Sequence, residues 1–182
     1  MTSRILIGLC GLAGSGKSTV AEHLTRVHGF SRIRFAGALK RMLAAAGVTH
    51  DMLDGSAKEE PCALLCNRTP RHAMQTLGTE WGRQCIGQDF WIGLWRAEVE
   101  RWPSMHIVAD DVRFPNELAA VRALGGRIWL VKRPALRAMP HASEQLDFGT
   151  CPPNLTLHNY GSIDDLHTKV DDIAGAMLAQ AR

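Results

Sequence analysis

Gly11-Leu-Ala-Gly14-Ser-Gly16-Lys17-Ser18 decides the fold of this chain, because it stands between the apolar run Ile5 to Cys10 and the helix-like run Thr19-Val-Ala-Glu-His-Leu24. A G-x-x-x-x-G-K-[ST] string between a strand and a helix is a phosphate-binding loop. Its glycines let backbone N–H groups turn inward around phosphate oxygens in conformations that a Cβ obstructs. Lys17 then reaches the β and γ phosphates as a mobile charge, and the Ser18 hydroxyl is a ligand for Mg²⁺ beside the positive end of the helix. The expected nucleotide-binding set is Gly11, Ala13, Gly14, Ser15, Gly16, Lys17, Ser18 and Thr19.

Outward from the loop, short apolar runs alternate with longer helical patterns, which predicts a parallel sheet covered by helices on both faces. The expected strands are Ile5 to Leu9, Ser31 to Phe35, Met105 to Ala109, Arg127 to Lys132 and Asn154 to His158. Helices are expected over Lys17 to Val27, Ala38 to Ala46, Arg71 to Gln84, Trp91 to Trp102, Asn116 to Leu124 and Ile163 to Ala181. Two proline-bearing stretches, His50 to Pro70 and Pro134 to Pro153, interrupt the layers. Insertions at the carboxyl edge of an open α/β sheet are placed to cover a ligand.

At 182 residues, with 46% hydrophobic and 21% charged residues, the chain suits one soluble domain with a sizeable core. The net charge of +3 and the lack of a basic cluster argue against a polynucleotide partner. Arg outnumbers Lys 16 to 5, a bias that suits planar contacts to phosphate and is equally a compositional drift. Five cysteines without C-x-x-C spacing indicate neither a disulfide framework nor a zinc site, and the eight histidines show no metal-ligand spacing. No signal peptide or spanning stretch is visible, so a cytoplasmic protein is expected, without a membrane partner.

Met105-His-Ile-Val-Ala-Asp110-Asp111-Val-Arg113-Phe-Pro-Asn116-Glu117 is the second informative segment: a strand ending in acids, an arginine, then a helix start; its alternative, purely structural reading makes Asp110 and Asp111 a polar turn and Asn116 the helix N-cap. An acid at that strand tip holds the Mg²⁺ shell or orients the attacking oxygen. The third is Arg71-His-Ala-Met-Gln75-Thr-Leu-Gly-Thr79-Glu-Trp81-Gly-Arg83, followed by Asp89-Phe90-Trp91. Met74, Leu77 and Trp81 share helical spacing and read as core, while Gln75, Thr79 and Arg83 at i, i+4 and i+8 form a polar row suited to a phosphorylated acceptor. Trp91 is a candidate to lie against an acceptor base, though an aromatic at a helix start is more often packing. Asn159-Tyr-Gly-Ser162, after the last strand, frames a base by backbone contacts or simply caps the final helix through Ser162.

Taken together, Gly11 to Ser18, Gln75 to Arg83, Asp111-Val-Arg-Phe-Pro-Asn-Glu117 and His141-Ala-Ser-Glu144 resemble the phage-type deoxynucleoside monophosphate kinases, in that family's order and over most of the chain; Phe35-Ala-Gly-Ala-Leu-Lys40 is a further match. The chain departs from the family pattern at Ala38, where proline is usual, and at Asp110, where a small residue is usual. The resemblance implies a three-layer P-loop NTPase fold of the nucleoside monophosphate kinase kind: one domain over 1–182 with a five-stranded parallel sheet, an acceptor-binding insertion at about 36–104 and a lid at about 133–150. It implies transfer of the ATP γ-phosphoryl group to a deoxynucleoside 5′-monophosphate with Mg²⁺. Lys17, Asp111, Arg113 and Arg133 would be the catalytic residues. Arg133 and Arg137 would also bind ATP, and Ser18 with Asp111 would hold the metal. Lys40, Gln75, Thr79, Arg83, Trp91, Asp111 and Glu144 would bind the acceptor. The partners implied are small nucleotides rather than nucleic acid, with a homodimer compatible, in a host-cell cytoplasm if the gene is a phage's. A P-loop kinase of another small metabolite, and a P-loop ATPase or nucleotide-dependent nucleic-acid-binding module, are the competing readings.

Overall fold

A computed structural model describes residues 4–134 and 151–181. Its strands are β1 (Leu6–Cys10), β2 (Ser31–Arg32), β3 (Ile107–Ala109), β4 (Arg127–Lys132) and β5 (Leu155–His158), in one five-stranded sheet of order β2-β3-β1-β4-β5. Every pairing is parallel, with Ile7 beside Val108 on one side and Arg127 on the other. The helices are α1 (Lys17–His28), α2 (Gly37–Ala45), α3 (His50–Asp54), α4 (Pro70–Gln75), α5 (Phe90–Glu100), α6 (Pro115–Ala123) and α7 (Ile163–Gln180).

The central strands are buried on both faces, as their unbroken apolar sequences require. Ile5, Ile7 and Leu9 enter a core with Val20, Ala21 and Leu24 of α1 and Leu166, Val170 and Ala174 of α7. Gly8, one step out of phase, faces Val112, Val121 of α6 and Ile128. Period-two alternation in β1 therefore serves two helical layers, and the three-layer α/β class with helices on both faces is the architecture observed.

The chain forms two compact units, one from the chain up to Arg34 and from Arg96 onward, the other from Phe35–Trp95. Strand β2 is shorter than expected from Ser31 to Phe35: after Ile33 donates to the Val108 carbonyl at 3.0 Å, Arg34 turns its guanidinium to Asp110. In the second unit the stretch His50 to Pro70 is not structureless. It holds α3, capped by Thr49, and two 3₁₀ turns at Ser56–Glu59 and Ala63–Leu65.

The helix expected over Arg71 to Gln84 begins as α4, with Thr69 as N-cap and Pro70 in the first turn, and then widens into a π-helix over Thr76–Ile86. Trp91 supplies the reason. Its indole Nε1 donates to the Gly78 carbonyl at 2.8 Å, the acceptor that an α-helix gives to the Gly82 N–H. A Cβ built on Gly82 lies 2.3 Å from Nε1 of the same ring, so only glycine fits there. Trp91 is 4% exposed, the packing role an aromatic at a helix start ordinarily takes, whereas Trp81, expected in the core, is 37% exposed and meets Phe90 edge-on. Widening to i→i+5 bonds also dissolves the α-helical row of Gln75, Thr79 and Arg83. Gly82→Ala should lower stability by about 1–3 kcal/mol through overpacking against Trp91, and urea unfolding followed by tryptophan fluorescence measures this.

Candidate functional site

Between β1 and α1 the chain must reverse from strand to helix over Gly11 to Gly16, and glycines at positive φ make this possible. Gly11 has φ 142° and would place a Cβ 2.4 Å from the Val131 carbonyl of β4; Gly16, the N-cap of α1, has φ 108°. Ser15 N donates to the Leu12 carbonyl at 3.1 Å, closing the turn. The first amides of α1 have no partners within the helix and form the positive end of its dipole. Around this terminus lies a cavity of about 350 Å³, walled by Gly14, Gly16, Lys17, Ser18 and Thr19 from the loop side. Arg133, Asn159 and Gly161 close it from the ends of β4 and β5, with Ile163 and Leu166 of α7 as its apolar wall.

Lys17 folds over the loop, its Nζ donating to the Gly11 carbonyl at 2.6 Å and the Leu12 carbonyl at 2.8 Å. Ala13 and Gly14 are exposed at the loop tip, while the Ser15 side chain is turned inward and 1% exposed. The hydroxyl of Ser18 donates to Oδ2 of Asp110 at 3.3 Å.

That contact identifies the acid beside the loop serine as Asp110. Asp110 is 5% exposed, and its carboxylate also accepts from Arg32, by Nε at 2.8 Å and by a short contact from Nη2, and faces Arg34 Nε at 3.3 Å. Burial pushes this carboxyl up, but the hydrogen bonds and charge of Arg32, with the charge of Arg34, outweigh burial and hold it below the usual carboxylate value. Asp111, the acid assigned from the sequence to metal and acceptor, is half-buried one residue on. The next turn is fixed by buried Glu117, whose Oε2 accepts from the N–H of Arg113 at 2.7 Å and of Phe114 at 3.2 Å. Asn116 consequently lies inside α6, whose N-cap is Phe114, so the alternative reading of Asn116 as the cap does not hold.

Ser162 caps α7 by accepting from Asp165 N, one of the two roles read for the segment after the last strand, and Asn159 acts there by its side chain: Nδ2 donates to the Ser15 carbonyl at 2.9 Å, bracing the loop. Arg32 and Arg34, which set the charge of Asp110, carry only the signal of alternate positions on a strand pointing to one face.

In the second unit, Arg83 is buried at 6% exposed and donates from Nη1 to the Gln88 carbonyl at 3.0 Å. A guanidinium on a solvated face, the ordinary expectation for a lone arginine, is excluded by that burial. Gln75 and Thr79 are half-buried. Lys40 is paired with Asp54 at 2.5 Å. Arg137, Glu144 and the rest of the expected lid beyond Pro134 lie outside the described residues. No described helix is long and apolar enough to cross a membrane.

No protein-family model matches the chain. A protein of Acanthamoeba polyphaga mimivirus named "Putative deoxynucleotide monophosphate kinase" is 27% identical over 181 residues, covering 91% of this chain and 94% of that relative. Among solved structures, the Mycobacterium tuberculosis APS kinase CysC in complex with AMPPNP and APS is similar at 16% identity and a TM-score of 0.46, over 96% of this chain and 99% of that one. An unliganded sugar kinase from Janibacter sp. HTCC2649 is similar at 17% identity and a TM-score of 0.46, over 96% and 97%.

Because the folded carboxyl of Asp110 titrates below its unfolded value, its stabilising contribution is present above about pH 4 and is lost as pH falls through the folded pKa. Asp110→Asn should therefore cost about 2 kcal/mol at pH 7, with the gap to wild type closing as pH falls below about 4. Urea unfolding of both proteins across that range checks it; a gap independent of pH would show that charge is not what Asp110 contributes.

Proposed function

We infer that this chain is an ATP-dependent kinase of the phage type that moves the γ-phosphoryl group to a deoxynucleoside 5′-monophosphate, giving the diphosphate, in the cytoplasm. The observation that carries the reading is the cavity at the N-terminus of α1, where Lys17, Ser18 and Arg133 converge beside the buried carboxylate of Asp110. The viral relative named as a deoxynucleotide monophosphate kinase supports the choice of acceptor class, as do the Gln75 to Arg83 and Asp111 to Glu117 motifs.

The triphosphate is taken up by the loop amides, and Lys17 exchanges the carbonyls of Gly11 and Leu12 for phosphate oxygens, which a cation prefers. Arg133 adds a second cation from the end of β4. The oxygens of Ser18 and Asp110, 3.3 Å apart, are hard donors that fit a largely hydrated Mg²⁺, with Ser18 the direct ligand because Asp110 is already engaged with Arg32. When bound, that ion neutralises charge on the phosphate oxygens. Arg83 is assigned the acceptor phosphate, since a buried guanidinium suits bidentate recognition of that anion. Asp111 and Arg113 are assigned to orienting the acceptor and steadying the transferring group, with Gln75 and Thr79 contributing to the acceptor pocket. Transfer passes through a loose transition state with charge spread over equatorial oxygens, so positioning and cations supply the catalysis and no strong base is required.

A coupled assay of ADP formation across deoxynucleoside and ribonucleoside monophosphates should show turnover dependent on a deoxynucleoside monophosphate. Dependence on a small metabolite alcohol alone, or hydrolysis indifferent to any acceptor, would replace this reading with one of its rivals. Lys17→Ala should lower kcat by about 10²-fold or more, as loss of a transition-state cation does. Arg83→Ala should instead raise the acceptor KM by about tenfold or more while ATP binding, followed by calorimetry, stays within about twofold. Unchanged acceptor kinetics in Arg83→Ala would refute the acceptor assignment.

A further inference from the structure

Away from the phosphate loop, α1 and α7 meet at a cluster for which neither helix's packing gives a reason. His23 lies on the buried face of α1 with Val20, Ala21 and Leu24, at 6% exposed, where an apolar side chain would serve. Its Nε2 is 2.6 Å from Oδ1 of Asp171 on α7, and His28 Nε2 is 2.7 Å from that same oxygen. The two imidazoles thus aim their outer nitrogens at one point from different directions, their rings 70° apart. His167, one turn before Asp171, stacks on His23 at 4.0 Å and 9° and fixes its ring plane. His23 Nδ1 is buried without a hydrogen-bond partner, so the polar chemistry of that ring is directed at Asp171 through Nε2.

We propose that His23, His28 and Asp171 form a binding site for one divalent transition-metal ion of the zinc class. The three donor atoms lie within 4.8 Å of one another. Zinc takes imidazole nitrogen at about 2.0–2.1 Å and carboxylate oxygen at about 2.0–2.2 Å, which puts neighbouring ligands about 3.3 Å apart in a tetrahedral shell. The observed separations of 2.6 and 2.7 Å are tighter, so the ion enters by displacing the Asp171 carboxylate outward by about half an ångström. Asp171 has that freedom, because its side chain is 45% exposed, and the same exposure lets water complete the shell. Two imidazoles among three donors select zinc-class ions over Mg²⁺ or Ca²⁺. On binding, the ion replaces the proton that Nε2 of each imidazole shares with Oδ1 of Asp171, and that carboxylate oxygen turns from hydrogen-bond partner to ligand. The ion would tie α1, which opens with Lys17 and Ser18, to α7, whose Ile163 and Leu166 wall the cavity.

The test uses the full chain stripped with a chelator and titrated with Zn²⁺ or Co²⁺ alone. One equivalent should bind by calorimetry, raise Tm by several degrees and, with Co²⁺, give the visible d–d bands of a four-coordinate nitrogen and oxygen site. His28→Gln and Asp171→Asn should each weaken that binding at least tenfold. X-ray absorption on zinc-loaded wild type should show a nitrogen and oxygen shell with imidazole scattering, and it decides the matter even if a variant fails to fold. Equal binding in wild type and both variants, a sulfur shell from the cysteines, or no binding at all would leave a metal-free His–Asp–His hydrogen-bond network and overturn the proposal.

Discussion

Parallel pairing is the constraint on which the site depends. Because β1 pairs in parallel with both β3 and β4, and β4 with β5, every one of these strands delivers its carboxyl end to the same edge of the sheet. The loop after β1 is therefore met by the Val131 carbonyl of β4, by Asp110 after β3 and by Asn159 after β5. From β1 the chain leaves through α1 toward β2, on one side, and from β3 through α6 toward β4, on the other, so the crevice between β1 and β3 is a switch point of the topology. Such crevices are where open α/β sheets bind ligands. The Ser18 to Asp110 hydrogen bond spans this one.

Electrostatics follows from that placement. A carboxylate 5% exposed is costly unless its charge is answered, and Arg32 and Arg34 answer it from alternate positions of one extended segment. The result is an acid that stays ionised throughout the neutral range beside a serine hydroxyl, within a loop otherwise dominated by Lys17 and helix-dipole positive charge. Cys10, at the end of β1, shows the opposite outcome: burial pushes its thiol up to about 12, which makes it packing rather than a nucleophile.

Much of this was readable in advance, for identifiable reasons. The phosphate loop is local, since its glycine positions and its Lys-Ser pair act within a few residues of one another, and its context of strand and helix was legible from periodicity. Five strands and their helices were also legible, because fully buried strands are apolar throughout and covering helices repeat at 3.6. Adjacent residues of one type were not separable in advance. Asp110 and Asp111 are equivalent in sequence, and only the course of the chain after β3, which turns the Asp110 carboxylate to Ser18, distinguishes their surroundings. Trp81 and Trp91 are likewise equivalent until Gly78 and Gly82 offer one of them a carbonyl and a bare backbone.

The sequence by itself determined the elements and the turn from Gly11 to Ser18, because these rest on short-range spacing: glycines where φ turns positive and apolar residues at the period of the element. Only the tertiary structure decided partnerships across long separations. Asn159 bracing Ser15, the Ser18 to Asp110 hydrogen bond, the widening of the helix after Gln75, and the meeting of His23 and His28 with Asp171 all depend on which elements pack together. Spacing along the chain carries no record of such contacts, since each is made between residues whose separation in sequence is set by the elements lying between them.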